Sequence, residues 1–313
     1  WPKKKSFAFT IIDDTDNSTM SNAPIVYDYL FTKGIFTTKS VWVRNGINHR
    51  RYNLVNGTTL ENKKYLDWVK KIYNRGFEIC LHSMSWSPSI RSQVINGINF
   101  FENLFGRSKI LVQHNDIIKN ESLYWGSNRL IFPLNYFFDF ISLFYSRGNN
   151  SNIYNGHNER SDFFWGDICI DKIDYVRNFV FPSLDLFKIT KNVIHKRNST
   201  KYVKSWFISS QAPDLKSFLK IVTKKNIDKL EKDNGICIIY THFGNDFVKN
   251  DKLNKDFKDV INYLSKKNGW FVPASHILNH LEIKNNGIKK LTYLEELKLG
   301  IKWLKWKIFE GSS

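Results

Sequence analysis

The chain has 313 residues, 42% of them hydrophobic and 16% aromatic, enough to bury a sizeable core, and this excludes intrinsic disorder. Lysine and arginine number 47 against 29 acidic residues, and the resulting charge of +18 points to an anionic partner: nucleic acid, a membrane surface or a phosphate-bearing substrate. The three cysteines, Cys80, Cys169 and Cys237, lack the number and spacing of a disulfide framework or a cysteine-based zinc site, so a reducing compartment is expected.

In chain order, Phe7 to Ile12 reads as a strand ending on Asp13-Asp14, and Pro24 to Phe31 as a helix closed by Gly34. Thr38 to Val43 is the next strand. Leu60 to Asn74 carries Tyr65, Leu66, Trp68, Val69 and Ile72 at helical spacing, with Thr58 or Thr59 as N-cap and Gly76 as stop. Phe77 to Leu81 is a strand running into His82, Pro88 to Phe105 a helix, and Lys109 to Gln113 a strand running into His114. Residues 123–165, rich in aromatics, Asn and Gly, read as long loops with some helix. Tyr175 to Phe181 and Tyr202 to Ser209 read as strands, and Pro213 to Lys232 as one helix with Pro near its first turn. Ile236 to Thr241 is a strand running into His242. A helix over Asn254 to Lys267, a strand at Trp270 to Val272 and a helix from Ala274 follow. Repeated strand-then-helix units predict parallel strands with helices outside, an α/β barrel or open sheet. In such folds the site lies at the carboxyl ends of the strands, where the conspicuous polar residues of this chain fall.

Asp13-Asp14, with Asp16 close behind, can divide roles between metal binding and proton transfer, or can be a helix N-cap cluster. His82, His114 and His242 are each weak signals, since a histidine at a strand end is often a hydrogen-bonded core residue. Together with the Asp pair they match the ordinary ligands of a catalytic zinc-like ion.

Asp13-Asp14 after an apolar strand, Gly-x-Glu-Ile-x-x-His-Ser at 76–83, and a late strand ending in His242 resemble the polysaccharide deacetylase (NodB-homology) family over about residues 6–245. Residues 9–16 and Tyr124-Trp125-Gly126 resemble a divergent branch associated with O-antigen and other surface-polysaccharide biosynthesis. The resemblance implies a distorted (β/α) barrel and a metal-dependent N-deacetylase acting on an N-acylated sugar. By its terms Asp13 is the general base, Asp14 and His82 bind one divalent metal, zinc first with cobalt or nickel as alternatives, and His242 protonates the leaving amine. The ion would activate water and stabilise the oxyanion. The family's second metal histidine is replaced here by Trp86, which cannot ligate, and the Arg-Pro-Pro motif is absent. His114, at the next strand end, is therefore proposed as third ligand. The alternative is a catalytically inactive glycan-binding homologue.

Asn115, Trp125, Trp165, Asp167 and Arg177 are the candidate substrate contacts. The tryptophans can stack on sugar faces or pack in the core; Arg177 can orient Asp13, bind an anionic sugar group or form a plain ion pair. Residues 1–283 are assigned to the catalytic barrel and 284–313 to a basic amphipathic helix. That helix can lie on an anionic membrane or pack on the barrel. The membrane reading fits a lipid-linked glycan and a cytoplasmic protein held peripherally on the inner face. Nucleic acid is disfavoured, because the lysines are spread along the chain and no nucleic-acid motif is present.

Overall fold

The computed structural model describes residues 1–47, 57–113, 120–144 and 154–310. Its first half runs β1 (Phe7–Asp13), α1 (Ala23–Thr32), β2 (Thr38–Val41), α2 (Lys63–Asn74), β3 (Glu78–Leu81), α3 (Arg91–Phe105), β4 (Ile110–Leu111), α4 (Leu134–Phe144) and α5 (Gly166–Lys172). Then come β5 (Tyr175–Phe181), β6 (Ile194–His195), β7 (Trp206–Gln211), α6 (Leu215–Ile221), α7 (Lys224–Lys232) and β8 (Ile236–Thr241). The chain ends with the hairpin β9 (Val248–Lys249) and β10 (Lys252–Leu253), α8 (Lys255–Ser265), β11 (Gly269–Phe271), α9 (Ala274–Lys284) and α10 (Tyr293–Glu310).

Seven parallel strands close a barrel in the order β1, β2, β3, β4, β5, β7, β8 and back to β1. The closure is uneven. The first half of β1 pairs with β11 and only its end pairs with β2. Likewise β7 pairs with the antiparallel β6 low down and with β8 only at its end. Because side chains alternate along a strand, β1 serves two cores. Phe7, Phe9 and Ile11 join the helical layer with Val26, Tyr27 and Leu30 of α1, and Ala8 and Ile12 join the other core with Cys80, Ile238 and Tyr240. Burial on both faces makes parallel strands continuously apolar, as the sequence of β1 and β8 is.

Helix α9 lies across the amino ends of the strands. The Ala274 amide donates to Thr38 Oγ1 (2.8 Å), the Ser275 amide to Glu78 (3.2 Å), and Tyr175 Oη to Glu282 (2.7 Å). The carboxyl ends are thereby left to carry the site.

Several boundaries differ from the sequence reading. The helix expected over 213–232 is two, because Asp214 caps α6 and Thr223 starts α7 by accepting from the Asn226 amide. Pro213 lies outside both. Asn62, not Thr58 or Thr59, caps α2 through the Tyr65 amide. The tail is not one helix from 284: α9 ends there, Gly287 turns the chain at φ +117°, and Thr292 and Glu295 form a capping box that opens α10. Helix α10 packs on the barrel. Leu299, Trp303 and Leu304 are buried in a core with Leu130, Phe138 and Phe179, and Glu296 holds Arg197 in a buried ion pair (3.1 Å). Among the described residues no helix is long and apolar enough to cross a membrane.

Candidate active site

Strand alternation decides what each aspartate near the end of β1 meets. Asp13 falls in register with Phe7, Phe9 and Ile11, so it points into the helical layer and is fully buried. There its carboxylate holds Lys39 Nζ at 2.8 Å, accepts from the Phe243 amide at 2.9 Å, and accepts from Tyr27 Oη at 3.2 Å. Burial pushes its pKa up and outweighs the Lys39 charge that pulls it down. This is a closed structural ion pair, and the geometry does not present Asp13 to a substrate as the expected base.

Asp14 falls on the opposite face. Arg177 grips it with both arms of its guanidinium: Nη1 to Oδ1 is 2.9 Å and Nη2 to Oδ2 is 2.6 Å. Burial raises the Asp14 pKa, but the charges of Arg177 and His82 outweigh it, so the carboxyl sits below its usual range. Arg177 thus orients Asp14, not Asp13 as one sequence reading had it.

Asp16, two residues further on, bridges the histidines. Its Oδ2 lies 3.2 Å from His82 Nε2 and 3.2 Å from His242 Nε2. The other nitrogen of each ring is also fixed. His242 Nδ1 lies 2.6 Å from the Pro213 carbonyl, which can only accept, so Nδ1 carries a proton. His82 Nδ1 lies 3.1 Å from Ser40 Oγ, and Ser40 donates to the Asp13 carbonyl. Both rings consequently turn Nε2 to the same carboxylate oxygen. Burial would lower the His242 pKa, but the hydrogen bond and charge of Asp16, with Asp14, push it to about 9.

Local folding explains the convergence. The register Asp13↔Thr241 sets the ends of β1 and β8 side by side, and Ser40↔Cys80 does the same for β2 and β3. Ser83 takes φ +55°, turning the chain just past His82. Gly244 lets the two loops touch, since a Cβ there would lie 2.3 Å from the Asn17 carbonyl oxygen. Asn17 and Asn245 join the same loops by a hydrogen bond of 2.8 Å.

The other candidates separate. His114 and Asn115 lie outside the described residues, as do His49, Arg50 and Arg51. Trp86 packs edge-on against Trp42, whose ring also lies 5.9 Å from His82. Trp125 is half-buried beneath the Arg129 guanidinium. Trp165 is buried and donates to the Glu121 carbonyl, and Asp167 forms a surface pair with Arg91. Lys39 and Tyr27 carried no motif. Asp16 did carry a signal, as the third carboxylate close behind the Asp pair.

The expected metal set of Asp14, His82 and His114 is incomplete among the described residues, because His114 lies outside them. Both Asp14 oxygens are taken by Arg177, and among the described residues no group of three or more His, Cys, Asp or Glu is arranged to hold an ion.

A barrel of seven parallel strands, with a carboxylate–histidine cluster at their carboxyl ends, can be set beside known structures. One, a "putative polysaccharide deacetylase from Mycobacterium smegmatis", superposes with a TM-score of 0.54 at 10% identity, covering 93% of this chain and 96% of that one. The fold is that of the polysaccharide deacetylases. A Bc1960 peptidoglycan N-acetylglucosamine deacetylase (TM-score 0.36, 12% identity, 95% and 90% covered) is similar more loosely. So is the Xyl-CE4 domain of a multidomain xylanase from the hindgut metagenome of Trinervitermes trinervoides (0.35, 13%, 94% and 91%). No family model and no curated protein sequence matches the chain. The likeness to this deacetylase fold is therefore one of structure, at 10% identity.

Proposed function

We propose that the chain hydrolyses the amide of an N-acylated sugar, with Asp16, His82 and His242 as the reacting centre and Asp14 held beside it by Arg177. One observation carries this reading: both imidazoles, each fixed through Nδ1, aim Nε2 at one Asp16 oxygen at the barrel's carboxyl end. Fixing one ring nitrogen by a carbonyl or hydroxyl orients the other for chemistry. In this scheme Asp16 takes a proton from water as that water attacks the acyl carbon. His242, protonated at neutral pH, delivers a proton to the departing nitrogen. The C–N bond breaks, leaving a carboxylic acid and an amino sugar. Surface-polysaccharide synthesis is the setting we propose, resting on the resemblance of the β1 and Tyr124–Gly126 segments.

A second reading, a glycan-binding homologue without turnover, is favoured by one observation. Arg177 occupies Asp14, and Trp86 stands where a ligand histidine is expected. Acetate release from N-acetylated mono- and oligosaccharides, measured with added zinc, cobalt or nickel and with a chelator, separates the two. Hydrolysis unaffected by chelator supports the proposal. Hydrolysis only with added ion places a metal at this centre and overturns the metal-free scheme. Glycan binding without acetate release in any condition supports the second reading.

We also place a membrane contact on α4 and α10. Tyr136, Phe137, Phe140, Ile301 and Ile308 are exposed there, with Phe132 just before α4, beside the exposed lysines 298, 302 and 305. Apolar rings bordered by lysines suit an anionic lipid surface.

A further inference from the structure

Four lysine or arginine side chains are buried among the described residues: Lys39, Arg129, Arg177 and Arg197. Three are matched by a carboxylate, namely Asp13, Asp14 and Glu296. Arg129 is the exception. It is 4% exposed and its Nε has no hydrogen-bond partner. Its guanidinium carbon sits 3.0 Å from the centroid of the Trp125 ring and 5.3 Å from that of Trp303. Burial drives its pKa well below the usual arginine range, and the Arg177 charge adds to this, while Tyr154 and Tyr240 act the other way. Trp303 also packs on Phe179 (5.2 Å), two residues along β5 from Arg177, and Arg177 lies over the Tyr240 ring at 4.4 Å.

An unpaired buried charge is strongly unfavourable, and stacking on aromatic rings offsets only part of that cost. The stacking has a second effect. It fixes the plane of the guanidinium and leaves its edge to donate, and that edge matches the paired oxygens of phosphate or carboxylate.

We propose that Arg129 binds an anionic group, phosphate or carboxylate, carried by the sugar substrate next to the reacting centre. This rests on the reading that the substrate is an N-acylated sugar, and it names the class: a sugar phosphate or an acylamino uronate, not a neutral sugar. The tryptophans then form the walls of an anion site whose positive charge is in place before the ligand arrives.

The test reads binding, not turnover, so it stands apart from the hydrolase reading. Calorimetric titration would compare N-acetylglucosamine, its 1-phosphate and an N-acetylated aminouronic acid against the wild type, Arg129→Met and Arg129→Gln. Thermal unfolding would be followed with and without inorganic phosphate. The proposal expects one anionic sugar to bind wild type at least about tenfold more tightly than the neutral sugar. Both variants lose that preference, and a phosphate-induced rise in Tm seen in the wild type disappears in them. Preference for the phosphate or for the uronate identifies which anion it is. Without ligand, Arg129→Met unfolds at the same or a higher temperature, since it removes an unpaired charge. Equal binding of anionic and neutral sugars by wild type overturns the proposal, as does a preference that survives in both variants. So does a lowered Tm in both variants with no phosphate effect in the wild type, which would make Arg129 a packing residue.

Discussion

Lys39 decides what Asp13 does. A buried cation needs its counter-ion, and removing one partner of such a pair typically costs about 3–5 kcal/mol. Asp13→Asn therefore lowers Tm sharply, and Lys39→Met in the same chain restores part of the loss; denaturation of the single and double variants checks this. Asp16 is different: in the proposed reaction it is the proton acceptor, and it also holds the two buried histidines. Two adjacent aspartates at the end of an apolar strand show that carboxylates gather there, but not which one faces the reaction. Both faces of β1 are buried, so its pattern lacks the polar–apolar alternation that would mark inside from outside. His82 and His242 were legible, because each ends an apolar run. Their shared partner was legible only as a residue close to the Asp pair, and Arg129 had no signal, since its significance lies in what does not pair with it.

Ionisation at three histidines predicts the shape of stability against pH. His195 and His157 are held neutral, down to about 3 and about 4, chiefly by burial. Their folded pKa values lie below that of the unfolded chain, about 6.5. As pH falls below 6.5 the unfolded state gains protons that the folded state refuses, and stability drops by up to about 1.4 kcal/mol per pH unit for each. His242 has the opposite sign. Its raised pKa gives stability that is fully present below about 6.5 and is lost as pH rises through about 9. Urea unfolding between pH 4 and 9 is expected to show a maximum near pH 6–7. A profile flat from pH 4 to 6.5 would contradict the assignment of the buried histidines.

At the scale of elements, the tail gains its role through packing. Trp303 is buried against Phe138 and Phe179, and Glu296 neutralises Arg197. Trp303→Ala should cost about 3–5 kcal/mol, as for other large aromatic truncations in cores. Chemical denaturation would read it, and a loss below 1 kcal/mol would mean that α10 is an accessory. The basic, apolar pattern of 284–309 was visible in the sequence, but one period cannot say whether an apolar stripe meets lipid or protein. The structure gives α10 a packed face and an exposed one. The division of 213–232 was hidden similarly: a helical period runs across the junction, and only the Thr223 cap breaks it. The antiparallel β6, two residues long, has no pattern of its own.

For the whole molecule, alternation of strand and helix foretold parallel strands, in a barrel or an open sheet, because parallel neighbours need a crossover and a helix supplies it, and the family resemblance chose the barrel. Uneven closure was not foretold. It depends on β11 and β6 filling the gaps beside β1 and β7, contacts far apart in sequence. The charge of +18 belongs to this scale too. Cosedimentation with phosphatidylserine vesicles should capture the protein at low salt and release it at high salt, each lysine near an anionic surface being worth about 1 kcal/mol. Reversing Lys298, Lys302 and Lys305 to Glu together should abolish capture. Binding unchanged by that reversal would remove the α4–α10 face as the contact.

In the proposed reaction Asp16 acts between two histidines, and Asp13 is structural. The most direct measurement compares Asp13→Asn and Asp16→Asn by initial rate of acetate release and by Tm on the same preparations. Asp16→Asn, while still folded at the assay temperature, is expected to lose about 10²- to 10⁴-fold in rate, and Asp13→Asn to lose stability first. Full activity in Asp16→Asn, or a folded, thermally unchanged and inactive Asp13→Asn, would contradict this assignment.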